Sequence, residues 1–316
     1  MSTPANDSQH PSRPLLTFVV PVYDTEPSML RECIDSLLAV QLAPGEREVL
    51  VVDDGSERVD VAKVVEGMGA GIRVMKREHE GVSSARNAGM EQAQGEYVQF
   101  VDADDSLDAA CYDRCLEALR RERPDVLMLR HRGQTTKDKL QRSETYETGV
   151  QYMLENNVRG SCCNYIVRRD VARKTAFPVG VRFTEDERWT AQMLLKAGRI
   201  IDTHLPAYCY RQHAESATGS TSKEVRVQKI ADAFATIAFL DYLCGTLSGR
   251  EQEALRRRVA QLTMDFIWNV WRWTHSPRAL HRQVGLLRER GLFPLPQKNY
   301  SRKYALFSAL TRIWIF

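Results

Sequence analysis

The chain has 316 residues, 43% hydrophobic and 27% charged. That balance suits one large globular domain, with or without a smaller appendage, and excludes collagen-like or disordered chains. The formal net charge of +3 is too small to argue for a nucleic-acid partner.

The charge is unevenly placed. Residues 250–316 carry 13 Lys and Arg against 4 Asp and Glu, a net +9, which leaves −6 on the remainder. A basic C-terminal stretch suits an anionic neighbour, and a membrane surface is one candidate. The seven cysteines form no CxxC pair and stand beside no zinc-finger His pair, so reduced thiols in a cytoplasmic protein are expected. The polar opening, MSTPANDSQHPSRP, lacks the apolar core of a signal peptide. No window reaches the ~18 apolar residues of a membrane span. Cytoplasmic localisation is therefore expected, with peripheral contact to the inner face of the membrane.

Residues 1–14 read as a disordered tail. Leu16–Val20 is a short apolar run ending at Pro21, as in a buried parallel strand. Thr25 is placed to cap a helix with Pro27 in its first turn and Leu30, Ile34, Leu37 and Leu38 on one face. Val49–Val52 is a second strand, Asp60–Glu66 a short helix and Ile72–Met75 a third strand. Ser84–Ala93 reads as a helix closed by Gly95. Tyr97–Val101 is a fourth strand, Ala109–Arg121 a helix and Val126–Leu129 another strand.

The pattern weakens over 131–147, as in a loop or hairpin insertion. Then come a helix over Gly149–Asn157, a strand over Cys162–Val167, a helix over Glu185–Lys196, and short strands at Ile200–His204 and Ala207–Tyr210. Beyond Ser222 the chain is helical, with Ile230, Phe234, Ile237 and Leu240 at helical spacing and a second helix over Glu251–Trp273. Alternating strands and helices at short spacing predict an α/β fold with a mostly parallel sheet flanked by helices, followed by a helical C-terminal extension.

Polar clusters follow the strand ends at Asp24, Asp53 and Asp102, the edge where open α/β sheets bind ligands. Asp102-Ala103-Asp104-Asp105 is the strongest signal. Carboxylates so close repel one another unless a cation sits among them, and Mg²⁺ or Mn²⁺ so held keeps positions open for phosphate oxygens. A solvated acidic turn, or a cap for the helix at Ala109, is the plain alternative. Asp53-Asp54-Gly55-Ser56 reads equally as a contact to a nucleotide base or ribose and as an Asx-type turn needing Gly55. Glu185-Asp186 opens a helix, where carboxylates stay ionised and where simple capping is the competing account. No GxGxxG follows the first strand and no GxxxxGK[ST] occurs, which argues against a dinucleotide-binding enzyme and a P-loop NTPase.

FVVPVYD at 18–24, VLVVDDGS at 49–56, EGVSSARNAGMEQAQGEYVQFVDADD at 80–105, FTEDERW at 183–189 and YCYRQH at 208–213 occur in an order that resembles the family 2 glycosyltransferases, inverting enzymes with the GT-A type fold. The resemblance spans roughly residues 15–215, and implies a catalytic domain over 15–220 with a helical, basic region over 221–316. It implies that Pro21 and Tyr23 lie beside the base, with Asp54 or Asp53 accepting from it, and that Arg86 reaches the nucleotide. Asp102 is implied near the ribose or donor sugar. Asp104 is implied to hold Mn²⁺ or Mg²⁺, with His213 as a further metal or diphosphate contact. Asp186 is the implied general base, supported by Glu185, and Trp189 is implied to stack on the acceptor. The usual asparagine of the first motif is Asp24 here.

The implied activity is transfer of a sugar from a nucleotide diphosphate sugar, a UDP-sugar by this resemblance, to a glycan or lipid-linked glycan hydroxyl in surface polysaccharide or glycolipid synthesis. A sugar nucleotidyltransferase is the alternative from another enzyme class, and it usually shows a glycine-rich first loop, which FVVPVYDTEP lacks. A non-catalytic nucleotide-sugar sensor is the third reading, and it would not need Glu185 and Asp186. The basic and aromatic C-terminal residues, Arg256-Arg257-Arg258, Trp268, Trp271 and Trp273 among them, suit an interfacial helix at an anionic membrane; the plain alternative packs the aromatics on the catalytic domain or in a dimer contact and leaves the arginines a solvated face. No nucleic acid is expected.

Overall fold

The computed structural model describes residues 13–133, 143–212 and 222–314. The chain begins with β1 (Leu16–Val22), α1 (Pro27–Leu38), β2 (Arg47–Asp53), α2 (Val61–Val65) and β3 (Ile72–Lys76). It continues with α3 (Val82–Gln92), β4 (Tyr97–Phe100), β5 (Ser106–Leu107), α4 (Ala109–Glu122) and β6 (Val126–Met128). Next are β7 (Glu144–Tyr146), α5 (Gly149–Glu155), β8 (Tyr165–Arg168), α6 (Arg169–Ala172), α7 (Glu185–Lys196), β9 (Ile200–Asp202) and β10 (Tyr208–Cys209). Four helices follow: α8 (Lys223–Thr246), α9 (Gly249–Thr274), α10 (Pro277–Glu289) and α11 (Arg302–Trp314).

Two compact units result. The first comprises residues up to Ser143 with Cys163–Arg173 and Thr203–Arg211; the second comprises Glu144–Cys162, Lys174–Asp202 and Gln212–Phe316.

In the first unit the strands run in the order β3-β2-β1-β4-β8-β6. The block from β3 to β4 is parallel, as the continuous apolar runs predict, and β8 pairs antiparallel with both β4 and β6. β1 is buried from Leu16 to Val20 because helices cover both faces of such a sheet. α1 buries Leu30, Cys33, Ile34 and Leu37, a single helical face. Its N-cap is Glu26, whose carboxylate accepts from the Ser28 and Met29 amides, and not Thr25. α3 ends at Ala93 and not at Gly95. Gly89 of α3 lies so close to the sheet that a Cβ there would stand 2.3 Å from Val19 Cγ1.

In the second unit β7 and β9 pair antiparallel, with Glu144 opposite Asp202. α5, α7, α8, α10 and α11 pack on or beside α9. Trp189 of α7 is fully buried and stacks on Phe177, ring centroids 4.8 Å apart. That corrects the expectation of an acceptor-stacking role for it, since an acceptor cannot reach a ring sealed in a core. Arg257 and Arg258 are likewise buried, so neither a solvated face nor a membrane contact describes them. Among the described residues no helix is long and apolar enough to cross a membrane. All seven cysteines are free thiols.

Candidate active site

Three adjacent parallel strands end on one edge of the first unit. Val22 of β1 stands in register with Asp53 of β2, and Val19 of β1 with Phe100 of β4. The chain therefore leaves the sheet at Tyr23 and Asp54 side by side, and at Val101 three residues earlier in register, on the edge where this architecture binds ligands. Pro21 sits one residue before that edge without disturbing the ladder. The Val19 carbonyl accepts from Val101 and the Val22 carbonyl from Asp54, so residue 21 faces the side where β4 has already ended, and no donor is missed there.

Asp24, φ 48°, holds a left-handed conformation that asparagine and aspartate tolerate best. Its carboxylate accepts from the Glu57 and Arg58 amides and from Arg58 Nε, at 3.1, 2.8 and 3.2 Å. Its amide donates to Ser56 Oγ at 2.9 Å. Those bonds, led by the Arg58 amide, hold the Asp24 carboxyl below its ordinary range. This is the physical reason an aspartate serves where asparagine is usual.

Asp53 and Asp54 are both buried, at 3% and 2% exposure, yet they behave differently. Asp53 Oδ1 accepts from the Ser56 amide at 2.8 Å, which is the Asx-type turn. Gly55 at its centre has φ +79°, and a Cβ there would meet the His79 amide nitrogen at 2.8 Å. Asp54 faces the segment before α3. It accepts from the Gly81 and Glu80 amides at 2.8 and 3.3 Å, with His79 Nδ1 at 2.9 Å and Arg77 Nε at 3.6 Å. The His79 ring stacks on exposed Tyr23, centroids 3.9 Å apart. Exposed Tyr23 thus rests on His79, which in turn is held by buried Asp54; of the three, only Tyr23 and Asp54 were expected from the sequence. His79 falls one residue before the motif segment that begins at Glu80, and no motif marks it.

Arg86, buried in α3, donates from Nη2 to Asp102 Oδ1 at 2.9 Å. Cys163 Sγ lies 3.4 Å from the other oxygen of Asp102. The two residues that the resemblance assigned to nucleotide and ribose are therefore partners, the guanidinium fixing the carboxylate. The acidic loop beyond is clamped by the antiparallel pair β5–β10. Tyr208 Oη donates to Asp105 Oδ2 at 2.7 Å and accepts from the Asp102 amide at 3.1 Å. The Arg211 amide donates to Asp105 Oδ1 at 2.8 Å, and its Nε to the Asp104 carbonyl at 3.0 Å. Burial, then the charges of Asp102 and Asp104, push the Asp105 carboxyl up to about 7 against the pull of those hydrogen bonds. Asp105 is spent on Tyr208 and Arg211, which leaves the carboxylates of Asp102 and Asp104 as the loop's oxygen donors of the type a hard divalent cation takes.

In the second unit the first turn of α7 carries Glu185, Asp186 and Glu187. Glu185 is buried, while Asp186 is half-buried and accepts the Glu187 amide on Oδ1 at 2.8 Å. Of the two, Asp186 is the one solvent reaches. Thr184, at the N-cap position of α7, makes no side-chain capping bond. His213 lies outside the described residues.

A strand-edge acidic loop on a mostly parallel α/β sheet without a glycine cradle defines a GT-A type protein. The family model for glycosyl transferase family 2 matches residues 17–176, half of the chain, and the chain belongs to that family. It is a glycosyltransferase that moves a sugar from a nucleotide-sugar donor to an acceptor. It is 27% identical over 290 residues to the uncharacterized glycosyltransferase EpsJ of Bacillus subtilis, covering 86% of this chain and 82% of EpsJ. It is 27% identical over 208 residues to the poly(ribitol-phosphate) beta-N-acetylglucosaminyltransferase TarS of Staphylococcus aureus, covering 62% of this chain and 35% of TarS. Two solved structures share its fold at lower identity. The TarS 1–349 complex with UDP-GlcNAc has TM-score 0.57 at 20% identity, covering 94% of this chain and 89% of that one. The mannosyltransferase PcManGT of Pyrobaculum calidifontis, in complex with GDP-Man and Mn2+, has TM-score 0.60 at 17% identity, covering 96% and 88%.

Proposed function

We propose that this glycosyltransferase uses a UDP-sugar, inverts the anomeric centre, and requires Mn²⁺ or Mg²⁺. The observation that carries the reading is the strand-edge loop of carboxylates Asp102, Asp104 and Asp105, where burial first and then the neighbouring charges lift Asp105 to about 7. In this reading Asp104 holds the cation, with His213 as a further ligand, and the cation offsets the charge of the departing diphosphate. Tyr23 carries the base on its exposed ring, Asp54 or Asp53 accepts from it, and Pro21 borders it. Asp102, oriented by Arg86, receives the ribose or donor-sugar hydroxyls. The solvent-reachable carboxylate of Asp186 takes the proton from the acceptor hydroxyl, and buried Glu185 supports it. One base and one displacement give inversion.

The acceptor belongs to the same reading: a glycan or lipid-linked glycan of a surface polysaccharide or glycolipid, met at the cytoplasmic face of a membrane. Exposed Trp268 and Trp271 on α9, and Leu306 and Leu310 on α11, support a surface that contacts lipid. A test by truncation would also remove buried Arg257 and Arg258. Vesicle co-sedimentation of the full chain against Trp268→Ser with Trp271→Ser is cleaner, and equal binding by both would reject the lipid contact.

The activity is tested by UDP release from UDP-glucose, UDP-galactose and UDP-N-acetylglucosamine with Mn²⁺, with and without candidate glycan acceptors. Acceptor-stimulated release of UDP is expected. Release of pyrophosphate would instead identify a nucleotidyltransferase.

A further inference from the structure

The turn that carries Asp186 is held from outside itself. Thr184, immediately before α7, has φ +67°, a left-handed conformation that strains a β-branched residue. It contributes no side-chain cap to offset this. The compensation comes from α8. Asp232, 6% exposed, accepts on one carboxylate oxygen from both the Arg182 and Phe183 amides, at 3.0 and 2.9 Å. Its other oxygen accepts from Gln228 Nε2 at 2.7 Å. Thr236 Oγ1 lies 3.0 Å from Thr184 Oγ1, and the Arg188 guanidinium lies over the Phe239 ring. Residues 228, 232, 236 and 239 are one face of α8.

A second brace comes from α9. Arg258, 5% exposed, donates to the Val158 carbonyl at 2.9 Å and pairs with Glu187, the neighbour of Asp186. Gly160 leaves room for that carboxylate, since a Cβ there would stand 2.0 Å from Glu187 Cδ. A buried carboxylate spent on two loop amides next to a strained residue fixes backbone direction at the start of α7, and so the direction in which Asp186 projects.

We propose that Asp232, with Thr236, is a positioning residue for Asp186, so that the C-terminal helices set the geometry of proton abstraction. The proposal rests on the reading of Asp186 as the base. Asp232 touches neither donor nor acceptor in this account. Its loss should therefore slow the chemical step and leave donor binding alone, because a ~1 Å misplacement of a reacting group costs on the order of 10²-fold.

The test uses the full chain with Mn²⁺ and UDP-N-acetylglucosamine, or whichever UDP-sugar of the panel above supports turnover. Asp232→Ala is expected to lower kcat by roughly 10–100-fold while the Kd for UDP stays within about twofold. Asp232→Asn, which keeps an acceptor for both amides, is expected to recover kcat to within about threefold of wild type. Thr236→Val, nearly isosteric, is expected to lower kcat several-fold with its fold intact, and it carries the test if Asp232→Ala does not fold. Wild-type kcat in Asp232→Ala or Thr236→Val, with Asp186→Ala inactive, overturns the proposal alone. So does a parallel loss of kcat and UDP affinity in Asp232→Ala, or a failure of Asp232→Asn to recover. Wild-type turnover by Asp186→Ala rejects the base itself, and the positioning role with it.

Discussion

Tyr208 Oη lies 2.7 Å from Asp105 Oδ2 and at the same time accepts from the Asp102 amide at 3.1 Å. One buried hydroxyl thus ties both ends of the acidic loop to β10. Tyr208→Phe removes both bonds and leaves the Asp102 amide and one Asp105 oxygen without this partner. A cost of about 1–3 kcal/mol is expected, measured as a shift of the urea midpoint at unchanged m-value. Wild-type stability would show that the loop is held elsewhere.

The raised Asp105 carboxyl makes stability depend on pH near neutrality. A group that holds its proton more tightly folded than unfolded binds more protons in the native state between the two pKa values. Without added divalent cation, stability should therefore fall as pH rises from about 4, the ordinary value, to about 7, and level off above. Asp105→Asn keeps one acceptor oxygen, for the Arg211 amide, gives up the bond from Tyr208 and cannot ionise, so this part of the decline should vanish in it. Thermal melts at pH 5 and pH 8 check the point, and equal slopes in the two proteins would refute it.

Gly89 sets the distance between α3 and the sheet. With Val19 Cγ1 2.3 Å and Val52 Cγ2 3.1 Å from the site of a Cβ, Gly89→Ala must push the helix outward or displace a core valine. Helix propensity favours alanine by about 1 kcal/mol, and overpacking opposes it by roughly 1–3 kcal/mol. Net destabilisation is expected in a denaturant titration, with reduced turnover because α3 also carries Arg86. A stabilised Gly89→Ala protein would show that the helix can retreat freely.

The parallel block was legible because strands buried on both faces leave continuous apolar runs, and because each run stops at a polar cluster. Asp53 and Asp54 carry the same residue type at successive positions, and only the backbone direction after β2 separates the Asx turn at Asp53 from the contacts of Asp54 to Gly81. Other features were hidden for definite reasons. Three arginines in a row read as solvated, since sequence does not tell which of them faces inward. Arg257 and Arg258 turned out to meet carbonyls from α5 and the segment after it. Trp189 shares its place in the motif with acceptor-binding aromatics, but Phe177 supplies it a buried stacking partner. Asp232 belongs to none of the motifs. Its partners lie some fifty positions earlier in the chain, and no local pattern announces them.

The central claim is that the strand-edge carboxylates gather a divalent cation that offsets diphosphate charge. Titration calorimetry of UDP into the chelator-treated protein, with and without Mn²⁺, tests it in wild type and in Asp104→Ala. The account predicts that Mn²⁺ tightens UDP binding at least about tenfold in wild type, and that Asp104→Ala abolishes the gain while keeping the weak, cation-independent affinity. Equal UDP affinity with and without Mn²⁺ in the wild-type protein would contradict it.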